Sequence, residues 1–316
     1  MDAGAGSATR GTRMSVMTSS PSPPGYLAPV SHHPSGVVPR TPPRGPQALL
    51  HCCHPEPALA VTVFVTALAV AAGHGPAGAA AVGAAVLAGQ LSVGWCNDAA
   101  DARRDTACGR TDKPVAEGRL SVRAVAVAAW TALVLCVPLS LLSGPGAAAA
   151  HLTGVAAGWA YNLRLKHTLL SPLPYAVGFA SLPVFVTLGL PRPAWPAWWA
   201  VAAGALLGVG AHLVNVLPDI EDDLATGVRG LPQSLGRTAC RWLAPLVMLA
   251  AVGVVLAGPP GPAGAGGLCL AVVAGAVAAT GTARAAGRGD RWPFRAAMAV
   301  AGLAVGRLVW AGAGLV

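Results

Sequence analysis

The chain has 316 residues, 54% of them hydrophobic and only 10% charged, with a formal net charge of +9 and a mean hydropathy of +0.59. A water-soluble domain carries roughly a quarter charged residues, so this balance excludes an ordinary soluble enzyme and points to a membrane protein. Residues 1–48 are rich in Pro, Ser, Gly and Arg and contain no apolar run. They read as a disordered cytoplasmic tail rather than a signal peptide, and Met14 and Met17 are alternative starts. The tail ends near "HCCH", residues 51–54, where adjacent ligands lack the spacing that lets one chain wrap a tetrahedral ion. The seven cysteines are an odd number and lie mostly in apolar segments, so no disulfide framework is expected.

From residue 49 to 316 the pattern is that of one all-α, polytopic membrane domain. Apolar segments long enough to cross a bilayer fall near 57–74, 76–96, 122–142, 146–163, 172–190, 197–217, 242–258, 263–283 and 294–313, giving nine predicted helices. Pro174 and Pro183 interrupt the fifth, which a membrane helix tolerates when neighbours re-satisfy the freed carbonyls. With the N-terminus inside, the tail and the loops after helices two, four, six and eight hold 19 of the 21 Lys and Arg, leaving only Arg192 and Arg307 outside. This is the positive-inside pattern. The net charge is therefore a topology signal and no argument for nucleic acid binding.

After the second predicted helix comes "WCNDAADARRD", residues 95–105. Asn97, Asp101 and Asp105 stand at i, i+4 and i+8, with Asp98 beside them. After the sixth comes "NVLPDIEDD", where Asn215, Asp219 and Asp223 repeat those intervals and Asp222 lies beside them. Residues four apart share one face of a continuing helix, although Pro218 distorts the second copy. Like charges so placed repel, and an Asp near hydrocarbon costs up to about 2.5 to 3.5 kcal/mol on insertion scales. Cations relieve both penalties. Mg²⁺ suits the pattern, since it takes hard oxygens and is held by one or two carboxylates plus substrate phosphates. Solvated loops whose acids balance the arginines are the alternative for one cluster; identical spacing in two clusters argues against it.

Both clusters run into loops that mix Gly with basic residues, "TACGRTDKPVAEGRLS" and "LATGVRGLPQSLG". Lys113, Arg119 and Arg229 are candidates to hold an anion there, the other reading being topological anchors. The fourth predicted helix ends in "WAYNLRLK". Lys166 could steady a diphosphate, and Tyr161 could face a cation through its ring, with Asn162 at the same level. An interfacial Tyr beside snorkelling Arg164 and Lys166 is the ordinary version of that pattern. Arg103 and Arg104 are assigned only to holding the loop inside.

Together these stretches resemble the UbiA superfamily of intramembrane prenyltransferases. "NDAADARRD" is similar to its N-D-x-x-D-x-x-x-D motif, "DIEDD" to its second Asp motif, and "YNLRLK" to its Tyr-to-Lys motif. "RTDKPVAEGRLS" is similar to its first cytoplasmic loop. The resemblance covers residues from about 45 to 316 and implies nine helices around a central cavity capped on the cytoplasmic side. It implies Mg²⁺ and an isoprenyl diphosphate held by Asn97, Asp98, Asp101 and Asp105 and by Asp219 and Asp223, with Lys166 as a basic contact. It further implies prenyl transfer to an aromatic or other small lipophilic acceptor in the lipid bilayer. The family often carries an Arg near the start of helix one, where this chain has "HCCHPEPALAVT". His54 could substitute for it, Glu56 could act as a base, and His212 could take a proton. A terpene cyclase using the same donor without an acceptor shares these motifs. A CDP-alcohol phosphotransferase would need its acids on one continuous stretch, and a divalent-cation carrier would need ligands at the bilayer midplane. The Ala, Gly, Arg and Pro usage is compatible with a GC-rich bacterial genome, hence a plasma membrane.

Overall fold

The structure is a computed structural model that describes Met1 and residues 45–110, 113–284 and 292–316. Most of the expected tail, residues 2–44, lies outside the described residues, as do Asp112, Arg288, Asp290 and Arg291. The chain divides into two units, Met1–Pro42 and Pro43–Val316, and every described helix belongs to the second.

Among the described residues the structure is entirely helical. In order the helices are α1 (Pro46–Cys52), α2 (Pro55–Ala72), α3 (Pro76–Ala107), α4 (Val122–Leu141), α5 (Pro145–Leu163), α6 (Pro172–Leu188) and α7 (Trp198–Val216), then α8 (Ile220–Ala225), α9 (Leu231–Ala257), α10 (Gly264–Arg284) and α11 (Trp292–Ala311). Single 3₁₀ turns follow α5 and α7, at Leu165–His167 and Leu217–Asp219. Five helices begin on a proline: Pro46, Pro55, Pro76, Pro145 and Pro172. Proline presets a helical φ and lacks the N–H that a first turn would leave unbonded, so these residues set the boundaries chemically. Pro138, Pro183 and Pro245 sit inside α4, α6 and α9, as the sequence allowed.

Each of the nine predicted segments falls on a helix, but among the described residues length and hydropathy support seven crossings. Those are α2, α3, α4, the stretch from α7 through α8, α9, α10 and α11. Helix α6 is a shorter apolar helix, and α5 interleaves small residues with His151, Tyr161 and Asn162, which lowers its hydropathy. Two boundaries also move. Helix α3 continues eleven residues past the predicted end at 96, carrying the first acidic stripe on regular helix. Helix α9 starts at Leu231 rather than 242 and breaks at Gly236, whose φ of 81° only glycine adopts readily. A hydropathy window reports where a helix meets hydrocarbon, and these helices extend beyond it into polar sequence.

The bundle has an inside. Buried residues make up 56% of the apolar window in α3 and in the α7–α8 stretch, against 22% to 33% in the other crossings. The two innermost crossings are therefore the two that end in acidic clusters. Helix α6 packs on α7 through Gly204 and Gly208, one turn apart. A Cβ on Gly204 would stand 2.7 Å from the Phe179 carbonyl oxygen, and one on Gly208 would stand 2.3 Å from that of Tyr175. In lipid, where apolar surface gives helices little reason to associate, such close approach supplies the packing. Gly208→Ala should force the two backbones apart and cost about 1–3 kcal/mol. A lower melting temperature in detergent, alongside unchanged behaviour for Gly253→Ala, where a Cβ meets nothing within 4 Å, is the expected result.

Candidate functional site

The last turns of α3 bring Asp98, Asp101 and Asp105 to one end of the bundle, and they are 2%, 7% and 6% exposed. Three carboxylates at such burial require counter-charges, because the desolvation of each is otherwise uncompensated. The second cluster is built differently from the sequence expectation. Asn215 ends α7 and is exposed, Pro218 and Asp219 occupy the 3₁₀ turn, and α8 then buries Asp223 while leaving Asp222 exposed. The matching i, i+4, i+8 spacing therefore does not lie on one continuous α-helix in this copy, for the reason Pro218 supplies.

Arg104 joins the clusters. Its Nη2 donates to Asp101 Oδ2 at 3.0 Å and its Nη1 to Asp223 Oδ1 at 3.1 Å. Lys166, itself 6% exposed, donates to Asp101 Oδ1 from the turn after α5. Gln233 Nε2 donates to Asp223 Oδ2 at 2.7 Å, and Arg110 Nη1 to Asp219 Oδ1 at 3.1 Å. Lys113 Nζ donates to Asp98 Oδ1 at 2.6 Å. His54 Nε2 lies 3.3 Å from that same oxygen and 3.1 Å from Lys113 Nζ. His54 is held in the left-handed region, φ 53°, at the entrance to α2. An open pocket of about 250 Å³ lies between the clusters, lined by Arg104, Asp105, Arg110, Asp219, Asp222 and Asp223 among others. A larger pocket among α7, α9, α10 and α11 carries no carboxylate.

The geometry thus gathers Asp101, Asp105, Asp219, Asp223 and Lys166, with Asp98 and Lys113 alongside. Other candidates stand differently. Asn162 is buried and donates to the Val93 carbonyl at 2.9 Å, tying α5 to α3. Asn215 donates to the Tyr175 hydroxyl at 3.2 Å, and Asn97 is half-buried. Arg119 pairs with Glu117, Glu56 pairs with Arg295, and Arg229 is exposed. Tyr161 packs edge-on against Tyr175. Sequence reasoning missed Gln233, which it placed in a loop, and Tyr175, and it gave Arg104 and Arg110 no part beyond topology. For Arg104 a signal existed: it stands three residues after Asp101, one helical turn away.

Among the described residues no three His, Cys, Asp or Glu side chains gather as a self-sufficient metal site. The donor chemistry still fits Mg²⁺, which needs only one or two carboxylates when waters and phosphates complete its shell. Asp105 lines the pocket on one side and Asp219, Asp222 and Asp223 on the other. Asp105, Asp219 and Asp223 are the lining carboxylates that would hold the ion, with Asp101 next to them through its bond to Arg104.

The UbiA prenyltransferase family model matches residues 58–311. No curated protein matches the chain. Similar solved structures include a UbiA homologue from Archaeoglobus fulgidus bound to GPP and Mg²⁺, with a TM-score of 0.61 at 15% identity, covering 85% of this chain and 100% of that one. A UbiA homologue from Aeropyrum pernix K1, in its apo form, gives 0.59 at 21% identity, covering 81% and 96%. A structure of digeranylgeranylglyceryl phosphate synthase gives 0.59 at 15% identity, covering 85% and 98%.

Two expectations test the site as built. Lys166→Met should destabilise the protein by about 3 kcal/mol, the lower end for a broken buried pair because Arg104 still serves Asp101. Adding Asp101→Asn should restore much of that loss in a thermal melt. Separately, burial and then the nearby Asp98 charge push the Cys52 thiol up to about 12. Since the thiolate is the reactive form, a maleimide at neutral pH should label exposed Cys108 and spare Cys52, as peptide mass spectrometry would report.

Proposed function

The chain belongs to the UbiA prenyltransferase family, and from that premise we propose that it transfers a prenyl group from an isoprenyl diphosphate to an aromatic or other small lipophilic acceptor within the bilayer. The observation that carries this reading is the meeting of two carboxylate sets across Arg104 at the end of the two innermost helices. A set of paired acids and bases at one end of an apolar bundle suits a ligand with a polyanionic head and a hydrocarbon tail. The Archaeoglobus fulgidus homologue, bound to GPP or to DMAPP with Mg²⁺, supports the same ligand class here.

In this reading Asp101, Asp105, Asp219 and Asp223 would hold Mg²⁺, with Asn97 and Asn215 as the amide oxygens that open the two motifs. When bound, the metal supplies positive charge against the departing diphosphate. Lys166, Arg104, Arg110 and Lys113 then serve as fixed donors that orient the diphosphate oxygens and stabilise the charge developing on them. Arg229, exposed on the loop before α9, is the further basic residue that this reading assigns to the anion. The carbon–oxygen bond of the donor breaks with its electron pair going to the diphosphate. The surrounding helices exclude water that would quench the allylic cation. A carbon of the acceptor attacks, and its proton passes to a diphosphate oxygen, a base that the ionisation itself creates.

The full reading has α5 and α6 crossing the membrane with the seven other spans, giving nine helices. It has residues 1–48 as a tail and the acidic end on the cytoplasmic face of a bacterial plasma membrane, as the basic residues distribute. Purified protein with Mg²⁺ and an allylic diphosphate should prenylate a phenolic acid or quinone precursor. Asp101→Ala and Asp219→Ala should each lower turnover by about 10² to 10³-fold. Full turnover in both variants overturns the assignment of the metal site. A cyclic hydrocarbon or alcohol formed from donor alone would instead identify a cyclase.

A further inference from the structure

Asp223 lines the pocket between the clusters yet is 8% exposed, so the orientation of its carboxylate is set by the side chains that hold it. Its two oxygens have different partners. Oδ1 accepts from Arg104 Nη1 at 3.1 Å, and Oδ2 accepts from Gln233 Nε2 at 2.7 Å. Asp101 differs, because both of its oxygens meet cations, Lys166 at Oδ1 and Arg104 at Oδ2. Gln233 is therefore the neutral donor among the three side chains that hold these two carboxylates. An amide N–H orients a carboxylate as a cation does, but it leaves the negative charge in place for an incoming ion.

The amide is fixed in its turn. Gln233 is the third residue of α9 and is 6% exposed. Gly230, immediately before α9, is pressed against the segment between α5 and α6. A Cβ there would stand 2.7 Å from the Lys166 carbonyl oxygen, 2.9 Å from Ser171 Oγ and 2.8 Å from Gln233 Oε1. Ser171 Oγ also accepts a hydrogen bond from the Leu231 N–H at 3.1 Å. The first turn of α9 is thus pinned beside the turn that carries Lys166, and from there Gln233 reaches Asp223 in α8. Its Oε1 is buried with no partner among the described residues. A buried amide with an unpaired oxygen is a poor packing residue, since Met or Leu would fill the space without desolvating a polar atom. What the amide supplies at this position is its N–H.

We propose that Gln233 is a positioning residue for the metal site: it holds the Asp223 carboxylate in the orientation that accepts Mg²⁺ and leaves that carboxylate its charge. The inference rests on the prenyl-transfer reading and adds to it a residue that itself touches neither donor nor ion. A hydrogen bond to a metal-binding carboxylate fixes the ligand before the ion arrives, and losing such a partner typically lowers metal affinity by about 10- to 100-fold. Without Gln233, both oxygens of Asp223 are free to turn to Arg104, and Mg²⁺ must then compete with that guanidinium for the carboxylate.

The test is a calorimetric titration of Mg²⁺ into detergent-solubilised protein holding the thiolodiphosphate analogue of an allylic diphosphate, which ionises poorly. Gln233→Met, close in shape but without a donor, should weaken Mg²⁺ binding by about 10- to 100-fold. The melting temperature without Mg²⁺ should stay near that of the wild type, and kcat should recover at saturating Mg²⁺. In an Asp223→Asn background the same substitution should change Mg²⁺ affinity by less than about 2-fold, because the route through Asp223 is already gone. Gln233→Asn, whose amide is one methylene too short to reach Asp223, is read in the same way and serves if the methionine variant does not fold. Unchanged Mg²⁺ affinity in a folded variant overturns the proposal, as does an equal loss in the Asp223→Asn background. Wild-type protein whose Mg²⁺ binding depends on Gln233 but which transfers no prenyl group overturns the prenyl-transfer reading and leaves the role of Gln233 standing.

Discussion

Everything at the polar end of this protein follows from carboxylates buried at the tips of apolar helices. Asp98, Asp101, Asp105 and Asp223 are each less than a tenth exposed, and burying carboxylates is costly without close positive charge. The chain supplies it from several directions. Lys166 comes from the turn after α5, Lys113 from the segment after α3, and Arg104 from α3 itself. Because Arg104 reaches both Asp101 and Asp223, the ends of the two innermost helices cannot be separated without exposing an unpaired acid. The electrostatics therefore act as the clamp that holds α3, α5 and the α7–α8 stretch in register.

Below that clamp, packing takes over. Apolar side chains gain little by facing one another rather than lipid tails, so close backbone contact at small residues has to do the work. Gly94 is one such point. A Cβ there would meet the Cys53 carbonyl oxygen at 2.5 Å, and this closeness brings the α1–α2 junction onto α3. The same approach sets His54 beside Asp98, in a backbone conformation that non-glycine residues seldom adopt. Gly204 and Gly208 do the corresponding job between α6 and α7, and the consequence is the contact between Tyr175 and His212. In both places a glycine on an inner helix fixes where a polar or aromatic side chain of a neighbouring segment can stand.

Much of this was legible in the residue order, for physical reasons that also mark the limits. Hydropathy located the helices because lipid demands long apolar runs, and prolines marked five of their starts. The acidic stripe of α3 was legible because its i, i+4, i+8 spacing has one meaning on a regular helix. The second stripe carried the same spacing but not the same geometry, since Pro218 replaces a helical turn by 3₁₀ winding. Gln233 was hidden because glycine and proline around it resemble a loop, whereas Leu231 starts a helix that Gly236 breaks. Tyr175 carried no local signal at all. Its place beside Asn215 and His212 depends on a contact between α6 and α7, and a contact of that kind has no periodicity along the chain.

Arg103 and Arg104 show most directly why pairing escapes a linear reading. Both satisfy the positive-inside rule equally well, and by that rule they are interchangeable. On a helix, however, neighbours point about 100° apart. That rotation leaves Arg103 exposed and turns Arg104 inward, where two carboxylates from different helices converge on it. A basic residue that counts equally in the positive-inside pattern is thus also available to the folded site. The excess of positive charge at this end of the bundle is accordingly two populations of side chains with one sign. One, including Arg103 and Arg229, stays in solvent. The other is drawn in by acids that could not be buried without it, and the helical phase of each residue decides which it joins.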